Sequence, residues 1–279
     1  MSRSVDVKHL GRDRVICAYE IDGLIVDPGP ASSVETLLAE VAEPRGLLLT
    51  HIHLDHAGAA GVLVRRFPEM PVYVHERGAP HLVDPSKLLA SATRLYGEDD
   101  MVRLWGEVAP VPEGNVRALA GGETVEGFRV AYTPGHASHH VCYLHEASGH
   151  AYVGDMAGVR IPPSEFTMPP TPPPDIDLEA WASSLDVIAA WEPSALCLTH
   201  FGQVREVGHQ LAVVRERLGS WGDRARSLDQ RAFCHHVAEE IRAATDPDTA
   251  ASYIQAAPPE QLWAGLERYW RKRAEREAA

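Results

Sequence analysis

Three histidines and an aspartate fall within six positions: His51, His53, Asp55 and His56, in the run Thr50-His51-Ile52-His53-Leu54-Asp55-His56. In an extended loop His51 and His53 point to the same side. Both rings can then reach one metal ion. Asp55 and His56 come one short turn later and can serve a second ion beside it. Imidazole and carboxylate suit zinc, and also iron or manganese. Three distant places are alike in kind. Thr133-Pro134-Gly135-His136 ends a strand in a turn that carries a histidine, Val153-Gly154-Asp155 ends one in Gly-Asp, and Leu198-Thr199-His200 ends one in histidine. Singly, a histidine at a strand end is more often a satisfied surface residue. Together, four apolar strands each deliver His or Asp at their C-terminal ends, and such ends gathered on one sheet edge form a natural site.

The elements that must position these residues follow from periodicity. Short strands with turn residues between them are expected at 5–10, 15–21 and 24–26, and Asp27-Pro28-Gly29-Pro30 stops the last. A helix is expected at 34–42, capped by Ser32 or Ser33. The apolar run 47–49 reads as a strand buried on both faces. Beyond the histidine loop a helix starts near Gly58 and Pro68 ends it, with a strand at 72–74. This order predicts an α/β fold. Residues 84–106 read as amphipathic helix and are expected to supply a pocket wall. From 116 to 153 the period returns to two. Residues 160–175 hold seven of the 21 prolines and cannot pack as a helix. They read equally as a surface connector or as a substrate-facing loop. Beyond the last apolar strand, 195–199, the stripes Val207/Leu211/Val214/Leu218, Phe233/Val237/Ile241 and Leu262/Leu266/Tyr269 each predict a helix whose face is core packing. The expected division is a catalytic domain over 1–203 and a helical C-terminal subdomain over 204–279.

The chain has 279 residues, 45% of them hydrophobic, enough for one large domain or a domain with a subdomain. A formal charge of −13 repels nucleic-acid backbone and argues against a nucleic-acid partner. No stretch reaches the roughly 20 apolar residues of a membrane span, and the N-terminus lacks a signal-peptide core. The four cysteines, Cys17, Cys142, Cys197 and Cys234, form no CxxC pair. They are expected to be reduced and buried, as in a cytoplasmic protein.

The five ordered motifs, the Asp27 turn, His51-x-His53-x-Asp55-His56, His136, Asp155 and His200, resemble the metallo-β-lactamase superfamily over 15–202. The resemblance implies an αββα sandwich with a two-metal site along one edge of its sheets. It assigns His51, His53 and His136 to one ion and Asp55, His56 and His200 to the other, with Asp155 bridging. Asp27 would support the histidine loop from behind. Pro134-Gly135-His136-Ala137-Ser138-His139-His140 is similar to the glyoxalase II pattern, with His140 at its second histidine and His139 where glycine usually stands. The basic, asparagine-containing stretch that binds glutathione in that branch has no counterpart. Acyl-homoserine lactone lactonases place a tyrosine where this chain has Gly158. The oxygen-reducing flavoproteins place glutamate where it has His53.

The expected function is a dinuclear metal-dependent hydrolase of a small ester, thioester or lactone, with two divalent ions, zinc first and iron or manganese as alternatives. The nucleophile would be a metal-bridging hydroxide, with Asp55 and Asp155 as the catalytic carboxylates. A mononuclear iron dioxygenase of the persulfide type and a non-catalytic metal-binding module are the alternatives. The expected partner is a small-molecule substrate, and a homo-oligomer is compatible with the sequence. Tyr96, Trp105, Phe166, Met168, His209, His235 and His236 are expected to be packing or surface residues rather than site residues.

Overall fold

The structure, a computed structural model, describes residues 2–278. It falls into two compact units: Met1–Tyr132 with His139–Ser148, and Thr133–Ser138 with Gly149–Ala279.

The first unit is built on a six-stranded sheet whose spatial order is its chain order: β1 (Arg3–Asp6), β2 (Cys17–Ile21), β3 (Leu24–Val26), β4 (Gly46–Leu48), β5 (Val72–His75) and β6 (Val116–Leu119). β1 to β3 pair antiparallel, and β3 to β6 pair parallel. The parallel strands carry the core, and Leu47, Leu48 and Leu49 are each 0% exposed. This is the continuous apolar run that a strand covered on both faces requires. The first strand ends at Asp6 rather than continuing to Leu10. Lys8 and Leu10 take left-handed φ of 49° and 55°, and His9–Gly11 forms a 3-10 turn. Four helices lie along this sheet's connections: α1 (Val34–Glu40), α2 (Leu54–Ala57), α3 (Ala60–Arg66) and α4 (Ala79–Val83).

The 84–106 stretch is α5 (Ser86–Tyr96) and α6 (Glu98–Trp105). Ala92, Met101 and Trp105 close on Leu54, and Leu88, Leu89, Tyr96, Leu104 and Val108 pack around them. The insert is thereby fastened to the histidine loop itself, because Leu54 lies between His53 and Asp55. The unit also holds the antiparallel run β7 (Thr124–Val125), β8 (Phe128–Tyr132) and β9 (Val141–His145).

In the second unit β10 (His150–Gly154) pairs parallel with β11 (Ala195–Leu198), which pairs antiparallel with β12 (Gly202–Val204). The helices are α7 (Leu178–Ala190), α8 (Val207–Ser227), α9 (Gln230–Ala244), α10 (Pro247–Ala256) and α11 (Pro259–Glu277). The three expected apolar stripes are buried at Leu211, Val214, Leu218, Phe233, Val237, Ile241, Leu262 and Leu266. The helix α10 was not expected, because its apolar stripe is weak. Its start is signalled instead by the Asp246 carboxylate, which accepts from the backbone N–H groups of Asp248 and Thr249, and by Pro247 at its first position. Residues 160–175 are not a surface connector, since Phe166, Thr167, Met168 and Thr171 are all buried. Among the described residues no helix is long and apolar enough to cross a membrane.

One tyrosine bears on the histidine loop from behind. Tyr143 in β9 is 0% exposed and its hydroxyl donates to the Leu49 carbonyl at 2.9 Å, at the end of β4. Burial pushes its pKa well above the usual 10.0, and the nearby Asp27 carboxylate adds to the rise. A raised acid pKa means the folded state keeps a proton that the unfolded chain releases, so stability falls as pH climbs past about 10. Chemical denaturation between pH 8 and 11 should show a steeper alkaline loss for the native chain than for Tyr143→Phe. Parallel curves would remove Tyr143 from that balance.

Candidate metal centre

In the first unit the site begins with strand register. β3 and β4 run parallel with Val26 opposite Leu48, so the residues that leave their carboxyl ends emerge side by side. Asp27 sits there with φ 48°, a left-handed conformation that aspartate tolerates better than most residues. Its carboxylate is fully buried and accepts three hydrogen bonds. Oδ1 takes the Thr50 N–H at 2.8 Å. Oδ2 takes the Thr50 hydroxyl at 2.7 Å and His56 Nδ1 at 2.8 Å. Because a carboxylate only accepts, His56 carries its proton on Nδ1. The Nε2 lone pair is left facing Asp55, with Oδ2 at 3.8 Å. The Thr50 hydroxyl, having given its hydrogen to Asp27, can only accept from His51 Nδ1 at 3.1 Å. His51 therefore also presents Nε2 as an acceptor, 2.9 Å from His53 Nδ1. His139 and His140 close over this loop: the His140 ring stacks on His51 at 5.0 Å, and His139 lies 5.8 Å from His53.

The second unit repeats the logic. β10 and β11 are parallel with Gly154 opposite Leu198. Asp155 and Thr199-His200 therefore leave adjacent strand ends. His200 Nε2 lies 3.5 Å from Asp155 Oδ1, and His136 Nε2 lies 3.3 Å from Asp155 Oδ2. One carboxylate thus offers a different oxygen to each of two imidazoles. All three residues are almost fully buried. His136 Nδ1 donates to the Pro170 carbonyl at 2.9 Å, which again makes Nε2 the acceptor nitrogen.

Trp181, in α7, ties these pieces together. Its indole N–H donates to the Met156 carbonyl at 2.9 Å, and its ring meets His136 edge-to-face at 5.4 Å. Gly135 has to be glycine beside it. Its φ is 137°, and a Cβ there would come within 2.3 Å of the Trp181 backbone.

Among the described residues, His51, His53, Asp55, His56, His136, Asp155 and His200 fall in clusters of His and Asp that could hold a metal ion. The donor set fits divalent ions: hard-to-borderline nitrogen and oxygen donors, with the far ring nitrogens of His51, His56 and His136 fixed by oxygen acceptors. The first unit brings four of the seven together and the second brings three. Thr50, the Pro170 carbonyl and Trp181 are supporting groups that spacing did not reveal. Thr50 could have been found as a hydroxyl beside the first histidine, whereas Trp181 reads as one more apolar position on a helix face. Trp105, Phe166 and Met168 are buried packing residues. His236 pairs with Glu240 at 2.9 Å on α9.

A profile of the metallo-beta-lactamase superfamily matches residues 18–200, and the chain belongs to that superfamily. Its fold is the expected one, two mixed sheets with helices and a helical C-terminal segment. The hydroxyacylglutathione hydrolase of Salmonella typhi is 33% identical over 126 residues, 43% of this chain and 38% of that enzyme. The chain thus spans less than half the length of the curated relatives it matches. An archaeal metallo-beta-lactamase superfamily protein from Sulfolobus tokodaii is 21% identical, with 97% of this chain and 98% of that chain covered and a TM-score of 0.70. A protein solved in a di-iron-bound form is 25% identical, with 71% of this chain and 91% of that chain covered and a TM-score of 0.53.

The carboxylate behind the loop gives a test. In Asp27→Asn an amide NH2 replaces Oδ2, so donors face the Thr50 hydroxyl and His56 Nδ1. His56 then has to move its proton to Nε2. Zinc affinity, measured by competition with a chromophoric chelator, is expected to fall about 10–100-fold, with a stability loss of about 1–3 kcal/mol. Unchanged zinc affinity would show that the His56 tautomer is immaterial.

Proposed function

We propose that this chain is a dinuclear metal-dependent hydrolase of a small ester or thioester. The observation that most supports it is the Asp155 carboxylate, which turns Oδ2 to His136 and Oδ1 to His200, as a group shared by two ions would. In this reading His51, His53 and His136 hold one ion, Asp55, His56 and His200 hold the other, and Asp155 belongs to both. The di-iron form of the 25%-identical protein is in keeping with two ions, and superfamily membership is in keeping with hydrolysis. Zinc is the first expectation for the metal, followed by iron or manganese.

Bound divalent ions supply a water whose pKa falls from about 15.7 to near 7 and polarise a scissile carbonyl. The chain's own groups do the rest. Asp55 is the partly exposed acid of the set, its side chain 22% exposed while that of His56 is 0% exposed. It can orient a water and pass its proton outward. The fixed Nδ1–H groups of His56 and His136 keep both rings in a ligating tautomer.

Among the substrate classes, lactones of the homoserine type fit least well. Gly158 stands where the lactonases carry tyrosine. Its φ is +80°, and a Cβ would lie 3.1 Å from the Met168 carbonyl oxygen, so a tyrosine there needs a different backbone. Thioesters fit best, since a relative 33% identical over 126 residues is a hydroxyacylglutathione hydrolase.

Metal analysis of protein purified without added metal should give about two ions per chain. A panel of esters, thioesters and lactones should show turnover, with thioesters first. His51→Ala, His56→Ala and Asp155→Ala should each lose metal and activity. A fully active His56→Ala would remove the second ion from the reading. One iron per chain with oxygen uptake would replace hydrolysis by oxygenase chemistry, and a folded, metal-loaded protein inert to the whole panel would favour a binding module.

A further inference from the structure

The stretch 160–175 forms no helix or strand of its own, yet it bears on two of the candidate ligands. Its Pro170 carbonyl accepts from His136 Nδ1 at 2.9 Å. Its Met168 exchanges both backbone hydrogen bonds with Val159, at 2.8 and 2.9 Å, just beyond the Asp155 turn. Such a strap has few backbone donors with which to fix itself. Positions 162, 163, 169, 170 and 172–174 are proline, and proline has no N–H to give to a ladder.

Its anchors come from the helical tail. The Tyr253 hydroxyl, on α10, accepts from the Ile161 N–H at 2.8 Å and donates to the Phe166 carbonyl. The Ser164 hydroxyl donates to the Ala244 carbonyl at the end of α9, at 3.2 Å. The Thr171 hydroxyl donates to the Leu262 carbonyl on α11 at 3.0 Å. Arg268 Nε donates to the Pro174 carbonyl at 3.1 Å. One turn along α11 from Leu262, Gly265 makes the notch that receives the strap, where a Cβ would stand 2.0 Å from the Thr171 carbonyl oxygen. The residue that bonds α11 is therefore the neighbour of the residue that bonds His136.

We propose that the C-terminal helices orient the His136 imidazole through this strap, with Thr171 and Tyr253 as positioning residues, and so set the affinity for the ion that His136 helps to hold. The affinity clause rests on the metal reading above; the orientation clause does not. The tail thereby acquires a role at the centre.

Two readouts on the full chain test it. The first is NMR of metal-free protein with 15N-labelled histidine, where a His136 Nδ1–H held by a carbonyl gives a downfield, slowly exchanging proton. The second is zinc affinity by chelator competition. Thr171→Val keeps the shape and removes the donor. It should speed exchange of the His136 proton and weaken one zinc ion about 10-fold, leaving the other unchanged, and Thr171→Ser should restore both. A folded Thr171→Val protein with native exchange and native zinc affinity overturns the proposal. If Thr171→Val does not fold, Tyr253→Phe carries the same test, and native values there overturn it. If the native chain takes up no zinc, the metal reading fails, and the exchange of the His136 proton still decides whether the tail orients the ring.

Discussion

The buried carboxylate of Asp27 is the interaction on which the histidine loop depends. It is fully out of water and holds three donors, the Thr50 N–H, the Thr50 hydroxyl and His56 Nδ1. A buried charge without such partners costs several kcal/mol. Satisfied, it dictates the proton positions around it. The Thr50 hydroxyl has to point at Asp27, so it can only accept from His51, and His56 has to be protonated on Nδ1. Two of the loop's imidazoles are thereby fixed as Nε2 acceptors by one aspartate. Tyr143 secures the same strand end through the Leu49 carbonyl.

The second unit reaches the same end by other means. His136 is oriented by a backbone carbonyl, Pro170, and by the Trp181 ring. A side-chain acid behind a histidine is encoded at one position and is visible as a residue type. A carbonyl is present at every residue, so its usefulness depends on where the chain runs. That course is set by the strap and by the helices that bind it.

The amphipathic insert α5–α6 bears directly on the histidine loop in the first unit. It closes on Leu54, inside the ligand loop, so its packing and the position of Asp55 and His56 are coupled through one side chain.

The sequence by itself determined which strand ends carry His and Asp. An apolar run followed by His-x-His-x-Asp-His has few other uses, and β4, β10 and β11 end where the apolar runs at 47–49, 151–153 and 195–199 give way to Asp or His. It also determined the three apolar helical stripes. It did not determine the fate of residues 160–175. Proline content excludes regular structure, but burial depends on what lies on the other side, and Thr171, Tyr253 and Gly265 stand 35, 117 and 129 positions from His136. The short helix α10 was likewise hidden, its start written in a capping aspartate and a proline rather than in periodicity. Above all, tautomers were decided by tertiary structure alone. Whether a histidine presents Nδ1 or Nε2 depends on which oxygen lies behind it, and for His56 and His136 that oxygen comes from residues 29 and 34 positions away.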